Sequence, residues 1–75
     1  MAEPVLLACP QQQTLIEAVQ VHLSRIVALT QETSAAVANR DDKLTRDLDV
    51  RVEQEIGAKE RALGALRQHR KEHGC

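Results

Sequence analysis

The chain has 75 residues, a formal net charge of −1 and no Phe, Tyr or Trp. A chain of this length buries only about 60% of its unfolded surface, so any core is small and has to consist of aliphatic side chains. The balanced charge and the missing aromatic rings argue against a nucleic-acid-binding protein, which needs a basic surface and stacking platforms.

Residues 1–10, MAEPVLLACP, contain both prolines and predict a non-periodic leader. The longest apolar run, VLLAC at 5–9, is much shorter than the roughly 20 residues of a membrane-spanning helix, and no Lys or Arg precedes it as in a signal peptide. We therefore expect a cytoplasmic protein with no membrane contact, in which Cys9 and Cys75 are reduced.

The next segment predicts a first helix over about 11–38. Either Pro10 or the capping box of Thr14 and Glu17 can mark its start. Mostly apolar residues then recur at alternating spacings of three and four, which is typical of a helix packed against another helix. This row consists of Ile16, Val19, Leu23, Ile26, Thr30, Thr33 and Val37.

A second row repeats every seven residues beside the first and consists of Leu15, His22, Leu29 and Ala36. The apolar stripe is therefore wider than one partner helix covers. We expect a lone hairpin to leave the row of Leu15 and Leu29 exposed to water, so that further helices are needed to cover it.

The segment NRDD at 39–42 predicts a turn, in which Asn39 takes a left-handed conformation and Asp41 or Asp42 caps the next helix. A second helix is predicted over about 43–73. Its inward face consists of Leu44, Leu48, Val52, Ile56, Leu63 and Leu66.

The predicted fold is all-α: residues 11–75 form an antiparallel two-helix hairpin. Because a single hairpin cannot cover the wide apolar stripe, we expect two copies to pair with C2 symmetry into a four-helix bundle. The residues predicted to form the core and the oligomer interface are Ile16, Val19, Leu23, Ile26, Leu29, Leu48, Val52, Ile56, Leu63 and Leu66.

Polar residues interrupt the apolar face of the second helix. Glu55 and Lys59 fall near its centre, and an antiparallel register places His22 at a similar level on the first helix. Polar groups in a helical seam more often set register than perform catalysis, and no nucleophile accompanies these. Gly57 and Gly64 lie seven apart, which indicates either a groove for another chain or a solvated face that tolerates glycine.

The segment HRKEHGC at 69–75 offers a possible metal site. His69 and His73 share one helical face, and the predicted hairpin brings Cys9 to the same end as Cys75. Two thiolates and two imidazoles suit a structural tetrahedral zinc ion. Two other interpretations stay open: an ordinary helix end, with Gly74 after basic residues that favour the helix dipole, or a redox-active disulfide between the two cysteines.

These patterns predict a small helical-hairpin module for oligomerisation and protein–protein interaction, with no catalytic activity and no resident cofactor. Its expected partners are a second copy, as a homodimer, and an unidentified protein. The alternative is a zinc-stabilised or thiol-redox hairpin that uses Cys9, His69, His73 and Cys75.

Overall fold

The computed structural model describes residues 10–73, which form two helices, α1 (Pro10–Ala38) and α2 (Asp42–His73). The helices pack against each other as a hairpin that measures 56 × 19 × 10 Å. The all-α hairpin predicted from the sequence is confirmed, and the described residues contain no strand. Residues 1–9 of the predicted leader 1–10 lie outside the described residues, and Pro10 belongs to α1.

Helix α1 begins at Pro10, whose missing N–H is no loss in the first turn of a helix. The alternative start at Thr14 is wrong, because Thr14 lies inside the helix. Its Oγ1 donates a hydrogen bond to the carbonyl oxygen of Pro10 at 3.4 Å, so the threonine hydroxyl does not cap the helix.

The turn ends α1 with a Schellman motif. The Asp41 N–H donates to the Ala36 carbonyl at 2.9 Å, and the Arg40 N–H donates to the Val37 carbonyl at 3.1 Å. Arg40 takes the left-handed conformation, with φ of 56°. The prediction of Asn39 for this role is wrong by one residue.

Asp41 also caps α2. Its Oδ1 accepts a hydrogen bond from the Leu44 N–H at 3.1 Å, and its carbonyl oxygen accepts from the Thr45 N–H at 2.9 Å. One aspartate therefore closes the first helix through its N–H and opens the second through its side chain and carbonyl oxygen. The connection between the helices is consequently very short, and it fixes which faces of α1 and α2 meet.

Each helix presents a regular row of buried and half-buried positions to the other, again at alternating spacings of three and four. We call these rows the seam. In α1 the seam consists of Gln12, Leu15, Val19, His22, Ile26, Leu29, Thr33 and Ala36. In α2 it consists of Thr45, Leu48, Val52, Glu55, Lys59, Ala62, Leu66 and His69.

The seam of α1 differs from the prediction. The row expected to stay wet is the buried one: Leu29 is 7% and Ala36 2% exposed. Leu23, predicted as core, is 46% exposed, and Val37 is 59% exposed. The physical reason is that α1 is rotated, so that Leu23 lies on the flank of the seam instead of facing α2.

A similar shift occurs in α2, where Glu55 takes the seam position and its neighbour Ile56 is 40% exposed. Among the other predicted core residues, one group is buried and the other half-buried. The buried ones are Val19, Leu29, Leu48 and Leu66, and the half-buried ones are Ile16, Ile26, Val52 and Leu63.

The apolar core is centred near the turn. Leu29, Ala36 and Leu48 form one cluster, against which Val52 packs, and Leu48 is completely buried. Towards the open end of the hairpin, where α1 begins and α2 ends, the seam becomes mixed. There the apolar layers alternate with polar side chains. These interior polar residues are the candidate site residues.

Candidate functional site

The hairpin has two broad faces of different chemistry, one on each side of the seam. A groove of about 360 Å³ runs along one of them and includes Arg25, Glu32, Arg51 and Gln54 in its lining. We call this the charged face. Since these residues flank the seam on the same side, the residues on the other flank of each helix share the opposite face.

We call that opposite side the apolar face; it consists of Ile16, Leu23, Val27, Val37, Ile56 and Leu63. Four of its members are substantially exposed, with values of 46% for Leu23, 56% for Val27, 59% for Val37 and 40% for Ile56. Single exposed apolar residues are ordinary, but several on one face of the hairpin indicate an interaction surface or an aggregation-prone one. The exposed Val21, Leu44 and Val50 lie off this row.

An ion pair within the seam joins α1 to α2. His22 Nδ1 contacts Glu55 Oε1, and the carboxylate accepts the hydrogen bond from the ring. The Arg25 guanidinium lies 3.8 Å from the same oxygen, while Lys59 lies beside Glu60 with 3.1 Å between Nζ and Oε2. The contact between His22 and Glu55 confirms that these two residues lie level with each other.

The contact between His22 and Glu55 bears on the register of the hairpin. The Glu55 side chain is only 19% exposed and the His22 side chain 22%, so the hydrogen bond between them helps to offset their lost hydration. A slip of either helix by one residue would separate them and leave two half-buried polar groups without partners. The pair therefore favours one alignment of α1 on α2.

A second polar cluster lies at the open end. His69 is 9% exposed, and its ring centroid is 4.6 Å from that of His73, with an angle of 38° between the ring planes. The spacing of these two histidines on one helical face, predicted from the sequence, is confirmed. Gln12 is the outermost seam position of α1 at this end of the hairpin, as His69 is of α2.

Two atoms of this cluster are buried without a hydrogen-bond partner among the described residues: Gln12 Oε1 and His69 Nε2. A buried polar atom left unpaired costs about 1–3 kcal/mol. Gln12 was not among the predicted site residues. The one signal for it in the sequence is that the row of Leu15, extended back by three residues, reaches it.

The predicted zinc ligands Cys9 and Cys75 lie outside the described residues, so the proposed set of four is represented here by His69 and His73. Among residues 10–73, no three His, Cys, Asp or Glu side chains come together in a geometry that would hold a metal ion. Gln12 is not among those four residue types, and its amide oxygen is an additional donor at this end of the hairpin.

The two glycines of α2 are not required by packing between the described helices. A Cβ at Gly64 would meet nothing within 4 Å, and one at Gly57 would meet only the flexible end of Arg61 at 3.4 Å. Both glycines lie on the outer side of α2, opposite the seam. The predicted groove for another chain at these glycines stays a prediction.

Comparisons with known proteins give no relative for this chain: no family model matches it, and neither does any curated protein or solved structure. Neither of the two described helices is long and apolar enough to cross a membrane.

Proposed function

We propose that the protein is a self-associating helical hairpin, in which two copies cover each other's apolar face and form a four-helix bundle that serves as a protein-interaction module. The observation that carries this proposal is the row of exposed Leu23, Val27, Val37 and Ile56. These side chains stay 40–59% exposed among residues 10–73, and each contributes about 1 kcal/mol when its exposed part is removed from water.

The small size of the hairpin core supports the same proposal. Only Val19, Leu29, Ala36, Leu48 and Leu66 are buried apolar residues within the described part of the chain. Two-helix hairpins of this size are marginal alone, because one helix–helix contact buries too little surface. A second layer of helices stacked on the apolar face provides the missing burial.

The charge distribution of α2 favours one arrangement of the two copies. Residues 42–57 carry five acidic and three basic side chains, whereas residues 58–73 carry five basic and two acidic ones. An antiparallel contact of α2 with α2 of the second copy brings the acidic half of each against the basic half of the other. We therefore place the two turns at opposite ends of the bundle.

This arrangement also brings α1 against α1 of the second copy, through a surface without charges. The side of α1 that would meet the second copy consists of the apolar-face residues and the polar residues between them: Ile16, Gln20, Leu23, Val27, Thr30, Ser34 and Val37. Leu23 lies next to the midpoint of α1 (Pro10–Ala38), so the two-fold axis passes close to it. Leu23 of one copy then contacts Leu23 of the other.

Native mass spectrometry and disulfide trapping test the proposal together. The full chain is expected to give a dimer mass. In a Cys9→Ser, Cys75→Ser background, Leu23→Cys is expected to form a covalent dimer on mild oxidation, because the two positions meet at the two-fold axis. Val21→Cys is the matched control, since Val21 is also 46% exposed but lies off the apolar face.

A monomeric full chain at micromolar concentration contradicts self-association through the apolar face. A dimer in which position 23 does not cross-link to itself contradicts the arrangement with turns at opposite ends. Equal cross-linking at positions 21 and 23 indicates random collision and removes the evidence for a specific interface.

A further inference from the structure

The open end of the hairpin contains an unusual interior layer. Leu15 and Leu66 form the last apolar layer of the seam, and beyond it lie Gln12 and His69. Gln12 Oε1 and His69 Nε2 are both buried, and neither has a hydrogen-bond partner among residues 10–73. An amide oxygen and an imidazole nitrogen each offer a lone pair, so a cation bound between them would satisfy both atoms.

His73 adds a second imidazole to this layer. It follows His69 by four residues on the same helical face, and the two ring centroids are 4.6 Å apart. Histidines at this spacing can bind one ion jointly, as in helical zinc sites. His73 is exposed, whereas His69 is nine-tenths buried, so one ring lies at the surface and the other in the interior.

The donor set determines the class of ion. Two imidazole nitrogens and one neutral amide oxygen suit late first-row divalent ions such as Zn²⁺ and Ni²⁺. Mg²⁺ and Ca²⁺ require carboxylate and other oxygen ligands instead, and they fit this set poorly. Three protein donors leave the fourth position of a tetrahedral ion to water or to another group.

We propose that the open end of the hairpin binds one late divalent transition-metal ion through His69 Nε2, Gln12 Oε1 and His73. The ion ties the first turn of α1 to the last turns of α2, which the short connection at Asp41 leaves unlinked at this end. This site is independent of the apolar face, so its failure leaves the self-association proposal unchanged.

Isothermal titration calorimetry of the full chain with Zn²⁺ tests the site, with Mg²⁺ as the ion that is expected not to bind. The expected result is one Zn²⁺ per chain and a rise in melting temperature. His69→Ala is expected to weaken Zn²⁺ binding at least twentyfold, and His73→Ala at least tenfold. His22→Gln is the matched control among the three histidines and is expected to change the affinity less than twofold.

Gln12→Leu separates a ligand role from a packing role. It is expected to raise the melting temperature of the metal-free chain, because a buried unpaired amide is removed, and to weaken Zn²⁺ binding about fivefold. Circular dichroism shows whether each variant remains helical. An unchanged Zn²⁺ affinity in Gln12→Leu contradicts the assignment of Gln12 as a ligand.

Binding of the ion by the two cysteines is the alternative that has to be tested. Cys9→Ser, Cys75→Ser is expected to keep the Zn²⁺ affinity within threefold of the unaltered chain. Loss of binding in this variant overturns the proposed donor set and assigns the ion to thiolates. No Zn²⁺ binding by the full chain, or unchanged binding by helical His69→Ala, overturns the metal site altogether and leaves the buried atoms to water.

Discussion

The two halves of the hairpin are packed with different kinds of side chain. Near the turn, Leu29, Ala36 and Leu48 form an apolar cluster. Towards the open end, the seam contains an ion pair between His22 and Glu55 and, further on, the buried His69. The turn half therefore holds the contiguous apolar core, whereas the open half places polar side chains in the interior.

The strongest test of the turn half is Leu48→Ala. Leu48 is fully buried, so the substitution leaves a cavity at the centre of the core and is expected to cost about 3 kcal/mol. Urea denaturation followed by circular dichroism measures the loss. Leu44→Ala is the control on the same helix, because Leu44 is 43% exposed and its truncation is expected to cost less than about 1 kcal/mol.

Replacement of the ion pair in the open half is expected to have the opposite effect on stability. Replacing both His22 and Glu55 with leucine is expected to stabilise the hairpin by about 1–2 kcal/mol, since two partly buried polar groups become apolar. Glu55→Leu alone is expected to be less stable than the double variant, because His22 loses its acceptor. A double-mutant cycle from urea denaturation measures the coupling, and a double variant less stable than the native chain contradicts this assignment.

The same double variant is expected to lose alignment specificity. Native mass spectrometry should then show oligomers larger than a dimer, because the apolar seam no longer contains the polar pair that rejects other registers. A variant that remains strictly dimeric shows that the turn alone sets the register.

Loss of the helix cap at the turn is expected to lower the stability by a smaller amount. Asp41→Ala removes the hydrogen bond from the Leu44 N–H to Oδ1 and is expected to cost about 1 kcal/mol of unfolding free energy. Thermal denaturation measures this loss. Asp41→Asn keeps the acceptor oxygen and serves as the control, and an equal loss in both variants argues against the cap.

Arg40→Gly is expected to produce the smallest change, a stabilisation of about 0.5–1 kcal/mol. Arg40 has φ of 56°, a conformation that glycine adopts without the steric cost of a Cβ. A higher melting temperature checks this. Asn39→Gly is the comparison variant at the position next to it, and a larger gain there would contradict the placement of the left-handed residue.

The fold was predictable because helical periodicity is strong on both sides of one short turn. The choice of inward face was not, because two apolar rows lie side by side in α1 and either can form a seam. The structure places the row of Leu29 and Ala36 inward and leaves Leu23 on the flank of the seam.

The polar sites were predictable in part. The antiparallel register alone brought His22 level with Glu55, and helical spacing brought His69 beside His73. Gln12 was missed, since a glutamine on a helix is usually solvated and its burial depends on the tertiary packing of the open end. The apolar face was anticipated as an excess of apolar surface, but its members follow only from the observed seam.

Sedimentation equilibrium of Leu23→Glu against Val21→Glu tests the central claim most directly. Both positions are 46% exposed on α1, but only Leu23 belongs to the apolar face. Self-association through that face predicts that Leu23→Glu weakens the dimer about 100-fold, whereas Val21→Glu stays dimeric like the native chain. Equal dimer affinity for the two helical variants would contradict the account.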